Sequence, residues 1–181
     1  MARVVPFVTV DVRGVNKTAR RLQSSQLSTR TINSRASTNP YDMMYRQWAF
    51  RYSAFARKRM NRLGRSGGGG EWKPLAPRTL AARRGGIATI LRDTGTLFNG
   101  LTIGTAGNET KRIPNGVQFG FSGTTRHPNG SITIRGLAEV HQKGSRRKGI
   151  PPRTIIVKPD NRTRTGMLLD MRTAFIRGAL L

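Results

Sequence analysis

Cysteine is absent from this 181-residue chain, which excludes disulfides and thiolate chemistry and leaves the redox compartment unread. Histidine is nearly as scarce: His127 and His141 are the only two, and their spacing makes no metal-ligand set. Acidic residues number 8 against 33 Lys and Arg, a formal net charge of +25. Hydrophobic residues make up 36%, low for a compact globule, so part of the chain is expected to be extended or partner-dependent. No apolar run approaches a membrane span, and the opening MARVVPFVTVDVRG carries too short an apolar stretch for a signal peptide. A soluble chain of one domain with arms is expected, long enough to bury a core.

What is abundant is arginine, 26 residues of it. Its planar guanidinium pairs bidentately with carboxylate or phosphate and is more weakly hydrated than an ammonium, so it suits interfaces. A surplus of this size favours an acidic partner, either nucleic acid or an acidic protein surface.

Residues 4–13 alternate as a half-buried strand does, with Val8, Val10 and Val12 on one face. Pro6 makes this an edge strand, or one whose pairing begins after it. Residues 16–39 are polar, cationic and Ser/Thr-rich, and read as a linker or arm. The strongest helix follows. Asn39-Pro40-Tyr41-Asp42 is a start signal, with Asp42 as N-cap or first-turn acid. Met44, Trp48, Tyr52, Phe55, Ala56, Met60 and Leu63 recur at steps of three and four, with Arg51, Lys58, Arg62 and Arg65 largely off that stripe. Gly64 closes the helix as its C-cap. Beyond the glycine run 67–70, short helices are expected from Pro77 or Thr79 and across Ala88–Gly100. A β-hairpin is expected over 101–121, with Leu101 and Ile103 on its first strand, Asn115-Gly116 at its turn, and Val117, Phe119 and Phe121 on its second. SITIRGLAEVHQKG reads as extended, TIIV as a buried strand, and the stretch from about Thr165 to Leu180 as a helix weakened by Gly178. The sum is α+β: a small antiparallel sheet packed against one long helix, with a flexible basic arm and loops. Residues 1–40 form the N-terminal strand and arm, and residues 41–181 the core.

The stretch GGGGEWKPLAPRTL sets a flexible run against a stiff one. Trp72 and Leu75 are positioned to plug an apolar pocket, with Pro74 and Pro77 stiffening the peptide between them. That pocket belongs either to the chain's own core or to a neighbouring subunit. The preceding glycines and the extended backbone favour the second, which makes Trp72, Pro74 and Leu75 a candidate subunit interface. Arg146, Arg147 and Lys148, between Gly144 and Gly149, cannot be buried unpaired and read as an exposed loop that meets an acidic partner or DNA.

Chemical constellations are sparse. Glu139 and His141 would share a face on a strand as a general-base pair, but no nucleophile or second carboxylate stands near them in sequence. GTAGNETK lacks the Gly-Lys-Ser/Thr ending of a phosphate loop. No catalytic, cofactor-binding or metal-ligating residue is assigned, and the residues point away from an enzyme.

EWKPLAPRTL, ILRDTGTLFNGLTIG, VQFGF, LAEVHQKG and GIPPRTII follow one another in an order that resembles the tailed-phage virion morphogenesis proteins, the tail completion or neck family. The resemblance spans roughly Met44 to Leu180 and is carried by order and spacing. It implies a structural protein without catalysis. Such a protein forms a homo-oligomeric ring, taken as a hexamer, at the head–tail junction. It completes or terminates the tail and joins it to the head connector. The implied partners are neighbouring neck, connector and tail tube proteins and the packaged DNA end, without membrane or cofactor. The implied location is the virion neck, with the host cytoplasm during assembly. The alternative is an Arg-rich nucleic-acid-binding protein of ribosomal type, whose arms thread between RNA helices. Against it, aromatics are not interleaved with the basic clusters.

Overall fold

The structure, a computed structural model, describes residues 7–11, 30–31, 39–65, 71–83, 89–113 and 116–179. The expected mobility of the arm and of the glycine run 67–70 therefore lies outside the described residues, apart from residues 30–31 and Asn39.

Four strands make one antiparallel sheet in the order β1-β4-β3-β2: β1 (Phe7–Asp11), β2 (Arg30–Thr31), β3 (Asn108–Ile113) and β4 (Gly116–Phe121). β1 begins directly after Pro6 and lies at the sheet edge, where a missing N–H costs no ladder bond. The arm contributes β2, which pairs Arg30 with Arg112 and Thr31 with Lys111 at the opposite edge. β4 is central, and its Val117, Phe119 and Phe121 are fully buried.

The long helix α1 (Pro40–Gly64) packs on this sheet through Tyr52, whose ring meets Phe119 edge-on at 5.1 Å. Its start decides between the two roles expected of Asp42. Asn39, not Asp42, accepts the N–H groups of Tyr41 and Asp42, at 3.0 and 3.3 Å, with Pro40 at the first turn. Asp42 is a first-turn acid, the second of those roles, and takes Arg112 of β3 at 2.6 Å, tying helix to sheet. Met44, Trp48, Tyr52, Ala56, Met60 and Leu63 are buried as the stripe requires, Phe55 packs half-buried beside them, and Arg51, Lys58, Arg62 and Arg65 are exposed. Gly64 is the last helical residue and Arg65 the cap. A Cβ at Gly64 would stand 3.0 Å from the Ile90 carbonyl oxygen, so close chain approach explains this glycine.

The last helix, α5 (Asn161–Ala179), runs antiparallel along α1, since Phe175 meets Tyr41 at 5.3 Å and Asp170 meets Arg51 at 2.8 Å. Gly178 lets the end of α5 close onto the start of α1, because a Cβ there would come within 2.8 Å of Pro40 Cα and Met43 Sδ. Asp160 holds the helix start by accepting Thr163 N–H at 2.8 Å.

Between these lie three shorter helices: α2 (Pro77–Ala81), α3 (Thr96–Gly100) and α4 (Ile134–Lys143). Four expectations are corrected here. The helix expected over Ala88–Gly100 shrinks to α3, because Leu91 and Gly95 take positive φ, 59° and 70°, which helical backbone does not allow. The first hairpin strand is Asn108–Ile113; Leu101 and Ile103 are buried, but in turns. The extended reading of SITIRGLAEVHQKG gives way to α4, capped by Thr133 and burying Ile134 and Ala138. TIIV buries Ile155 and Ile156 without strand pairing, because the Gln142 side chain takes the place of a neighbouring strand. It accepts from the N–H groups of Ile155 and Ile156, at 2.7 and 3.2 Å, and donates to the Ile156 carbonyl at 3.0 Å.

Candidate basic groove

The end of α4 and the chain after it fold back on each other. Gly144 takes φ 73°, and a Cβ there would lie 2.8 Å from the Ile150 oxygen and from Pro152 N, so the turn admits only glycine. Ser145 and Ile150 then exchange backbone hydrogen bonds of 2.7 and 2.9 Å, and Gly149, at φ 62°, closes the tip. The flanking glycines set a defined hairpin-like turn. Its tip carries Arg146, Arg147 and Lys148, all exposed.

Arg153 follows and is 4% exposed. Its backbone N–H donates to the His141 carbonyl at 2.6 Å, and its Nη2 to the Lys73 carbonyl at 3.4 Å, while Nε has no partner among the described residues. The HQ and PPR segments, twelve or so residues apart, are thus one packed unit joined through His141, Gln142, Gly144 and Arg153. Burial, reinforced by the charges of Arg153 and Arg83, pushes the His141 imidazole down to about 4, so it is neutral near pH 7. Burial and Arg83 likewise pull Arg153 below the ordinary arginine value.

Over this unit lies a groove of about 930 Å³, walled on its other side by the segment leading into α2. Among the described residues six cations line it, Lys73, Arg83, Lys143, Arg146, Lys148 and Arg153, and no carboxylate does. Leu75, Ile90, Leu91 and Ile150, with three prolines, supply apolar wall. The arrangement suits an anionic, partly apolar occupant.

The two sets of residues singled out in the sequence meet here. Pro74 and Leu75 line one wall, and Arg146 and Lys148 the other. Arg147 is exposed but does not line the groove. Trp72 requires a correction: it is 2% exposed within the chain and belongs to the hydrophobic core, so it is not a plug offered to a neighbour. Among the described residues its indole N–H has no hydrogen-bond partner, and its burial in the core makes its role one of packing. Sequence reasoning missed Lys73, Arg83, Lys143 and Arg153 as members of one site. Only Arg153 carried a signal, as the cation of the IPPR segment.

A second cleft of about 1040 Å³ lies between the end of α1 and the start of α5. It is also basic but holds Glu71 and Asp160, and Glu71 pairs with the buried Arg59. Arg59 also donates to the Thr154 carbonyl at 2.5 Å.

Acid–base candidates separate. On helix α4, Glu139 and His141 are two residues apart and face different sides, so the shared face they would have had on a strand does not exist. His127 accepts Asn129 N–H at its Nδ1 (3.2 Å), which places its proton on Nε2, 3.0 Å from Thr94 Oγ1. Glu109 is partly buried, which acts to raise it. The hydrogen bond from Lys111 at 2.9 Å and the charge of Arg135 outweigh that and hold its carboxyl below the usual range. Among the described residues, no three His, Cys, Asp or Glu side chains are grouped to hold a metal ion, and no helix is long and apolar enough to cross a membrane. No family model, curated protein or solved structure matches this chain.

Proposed function

We propose that this chain is a structural virion protein that assembles into a ring at the head–tail junction of a tailed phage and joins tail to head connector. The observation that carries the reading is the groove that, among the described residues, has six cations and no acid, built from the same HQ and IPPR segments that resemble the neck family. Its charge and apolar walls suit docking against a neighbour. Self-association has its own surface. Leu168, Leu169 and Ile176 of α5 are exposed at 43%, 59% and 45%, with Phe50 of α1 exposed as well.

The net charge of +25 favours one competing reading, an Arg-rich RNA-binding protein of ribosomal type. Sedimentation and electron microscopy of nuclease-treated protein separate the two. Rings that form without nucleic acid support the assembly reading. A monomer that stays soluble only with RNA overturns it in favour of the competitor.

A further inference from the structure

We propose that the basic groove is a docking site for an extended acidic peptide of a partner protein, one in which carboxylate side chains are interspersed with aliphatic ones. This rests on the reading of the chain as an assembly protein and gives the chemistry of the partner at that site.

Three observations favour a peptide. First, the charge is placed at different depths. Lys73, Lys143, Arg146 and Lys148 stand exposed, whereas Arg153 is 4% exposed in the groove lining. Duplex DNA offers its phosphates on the outside of a stiff rod and needs cations spread across an open face. A carboxylate on a peptide side chain reaches into a recess that such a rod cannot enter. Second, single-stranded nucleic acid is held by aromatic rings on which bases stack, and among the described residues the groove lining contains no Phe, Tyr or Trp. Third, aliphatic side chains and prolines share the walls with the cations. An extended peptide projects successive side chains to opposite sides, so an acidic–aliphatic alternation presents both chemistries at once. The volume of about 930 Å³ holds a short segment rather than a folded domain. Gly144 and the Ser145–Ile150 pairing hold one wall in place before any partner arrives, which lowers the ordering cost of binding.

The test uses the full chain and a dye-labelled peptide of alternating glutamate and valine, read by fluorescence anisotropy at low and raised salt. The groove variant carries Lys73→Gln, Lys143→Gln and Lys148→Gln, all at exposed positions. The control carries Lys58→Gln and Arg62→Gln on α1 and Arg172→Gln on α5, an equal loss of charge at exposed positions that do not line the groove. Three exposed ion pairs are together worth about tenfold in affinity, so the groove variant is expected to bind about tenfold more weakly. The control is expected to change by less than about threefold, the small effect of remote screened charge. Leu75→Ala, which alters no charge, is expected to weaken binding as well. Equal loss in both charge variants overturns the proposal by making the attraction one of net charge. A DNA duplex that displaces the peptide and shows the same groove-specific loss overturns it in favour of nucleic acid. Sedimentation of the same variants keeps the two readings apart: rings that form but ignore the peptide refute the groove alone. Peptide binding by a chain that never forms rings refutes the ring reading instead.

Discussion

At the scale of single residues, His141 and Trp72 make the sharpest claims. The folded chain holds the imidazole neutral down to about pH 4, while in the unfolded chain it protonates near 6.5. Between those values the unfolded state binds the extra proton, so stability falls as pH falls through the window and levels off below it. The full effect is of order 3 kcal/mol. Urea melts from neutral pH to about pH 4 are expected to follow this slope, and His141→Leu to flatten it. An unchanged slope in that variant assigns the acid sensitivity elsewhere. Trp72, fully enclosed, is expected to cost about 3–5 kcal/mol when replaced by alanine. Thermal melting of the Trp72→Ala protein checks this, and a preserved midpoint would return the indole to an interface role. Both residues were visible in the sequence as features worth explaining. Their surroundings were not, because the glycines before Trp72 say how freely it moves in the unfolded chain and nothing about the space it fills in the folded one.

At the scale of elements, legibility followed locality. The helix α1 was readable because Asn39-Pro40 and the stripe from Met44 to Leu63 agree along one continuous stretch. α4 was misread because Ile132 and Ile134 alternate with Thr133 and Arg135, a brief period of two at its entrance. The Thr133 cap and the burial of Ile134 and Ala138 resolve the conflict toward helix. The TIIV segment failed as a strand for a different reason: its hydrogen-bonding partner is a side chain on another element. Gln142→Ala removes three hydrogen bonds to Ile155 and Ile156 and leaves that buried backbone unsatisfied. A loss of about 3 kcal/mol is expected. Amide exchange at Ile155 and Ile156 is expected to accelerate well before the rest of the core. Uniform acceleration across α1 and β4 would mean that the segment is not a separate opening unit.

At the scale of the whole molecule, charge dominates. With 33 cations against 8 acids, most cations have no acidic side chain to meet, and the folded state concentrates their repulsion. Added salt screens that repulsion, so the thermal midpoint is expected to rise as ionic strength increases from about 0.01 M to about 0.15 M. A midpoint that falls over the same range would show that ion pairs such as Arg112–Asp42 outweigh the surplus. The same surplus explains why an acidic partner would stabilise the chain on binding.

Net charge, the long amphipathic helix, the hairpin ending in VQFGF and the C-terminal helix were all decided along the chain. Each depends on composition, or on neighbours a few positions away. The groove was decided in space. Lys143, Arg146, Lys148 and Arg153 share one stretch of the chain, but Lys73 and Arg83 come from another far from it in sequence, and no period or motif links the two. They converge because Gly144 turns the chain back after α4 and Arg153 N–H reaches the His141 carbonyl. Arg153 is thereby buried against the segment that also carries Trp72, through its bond to the Lys73 carbonyl. Those are long-range backbone contacts, made when the core closes, and so they belong to the packed structure and not to the local pattern of residues.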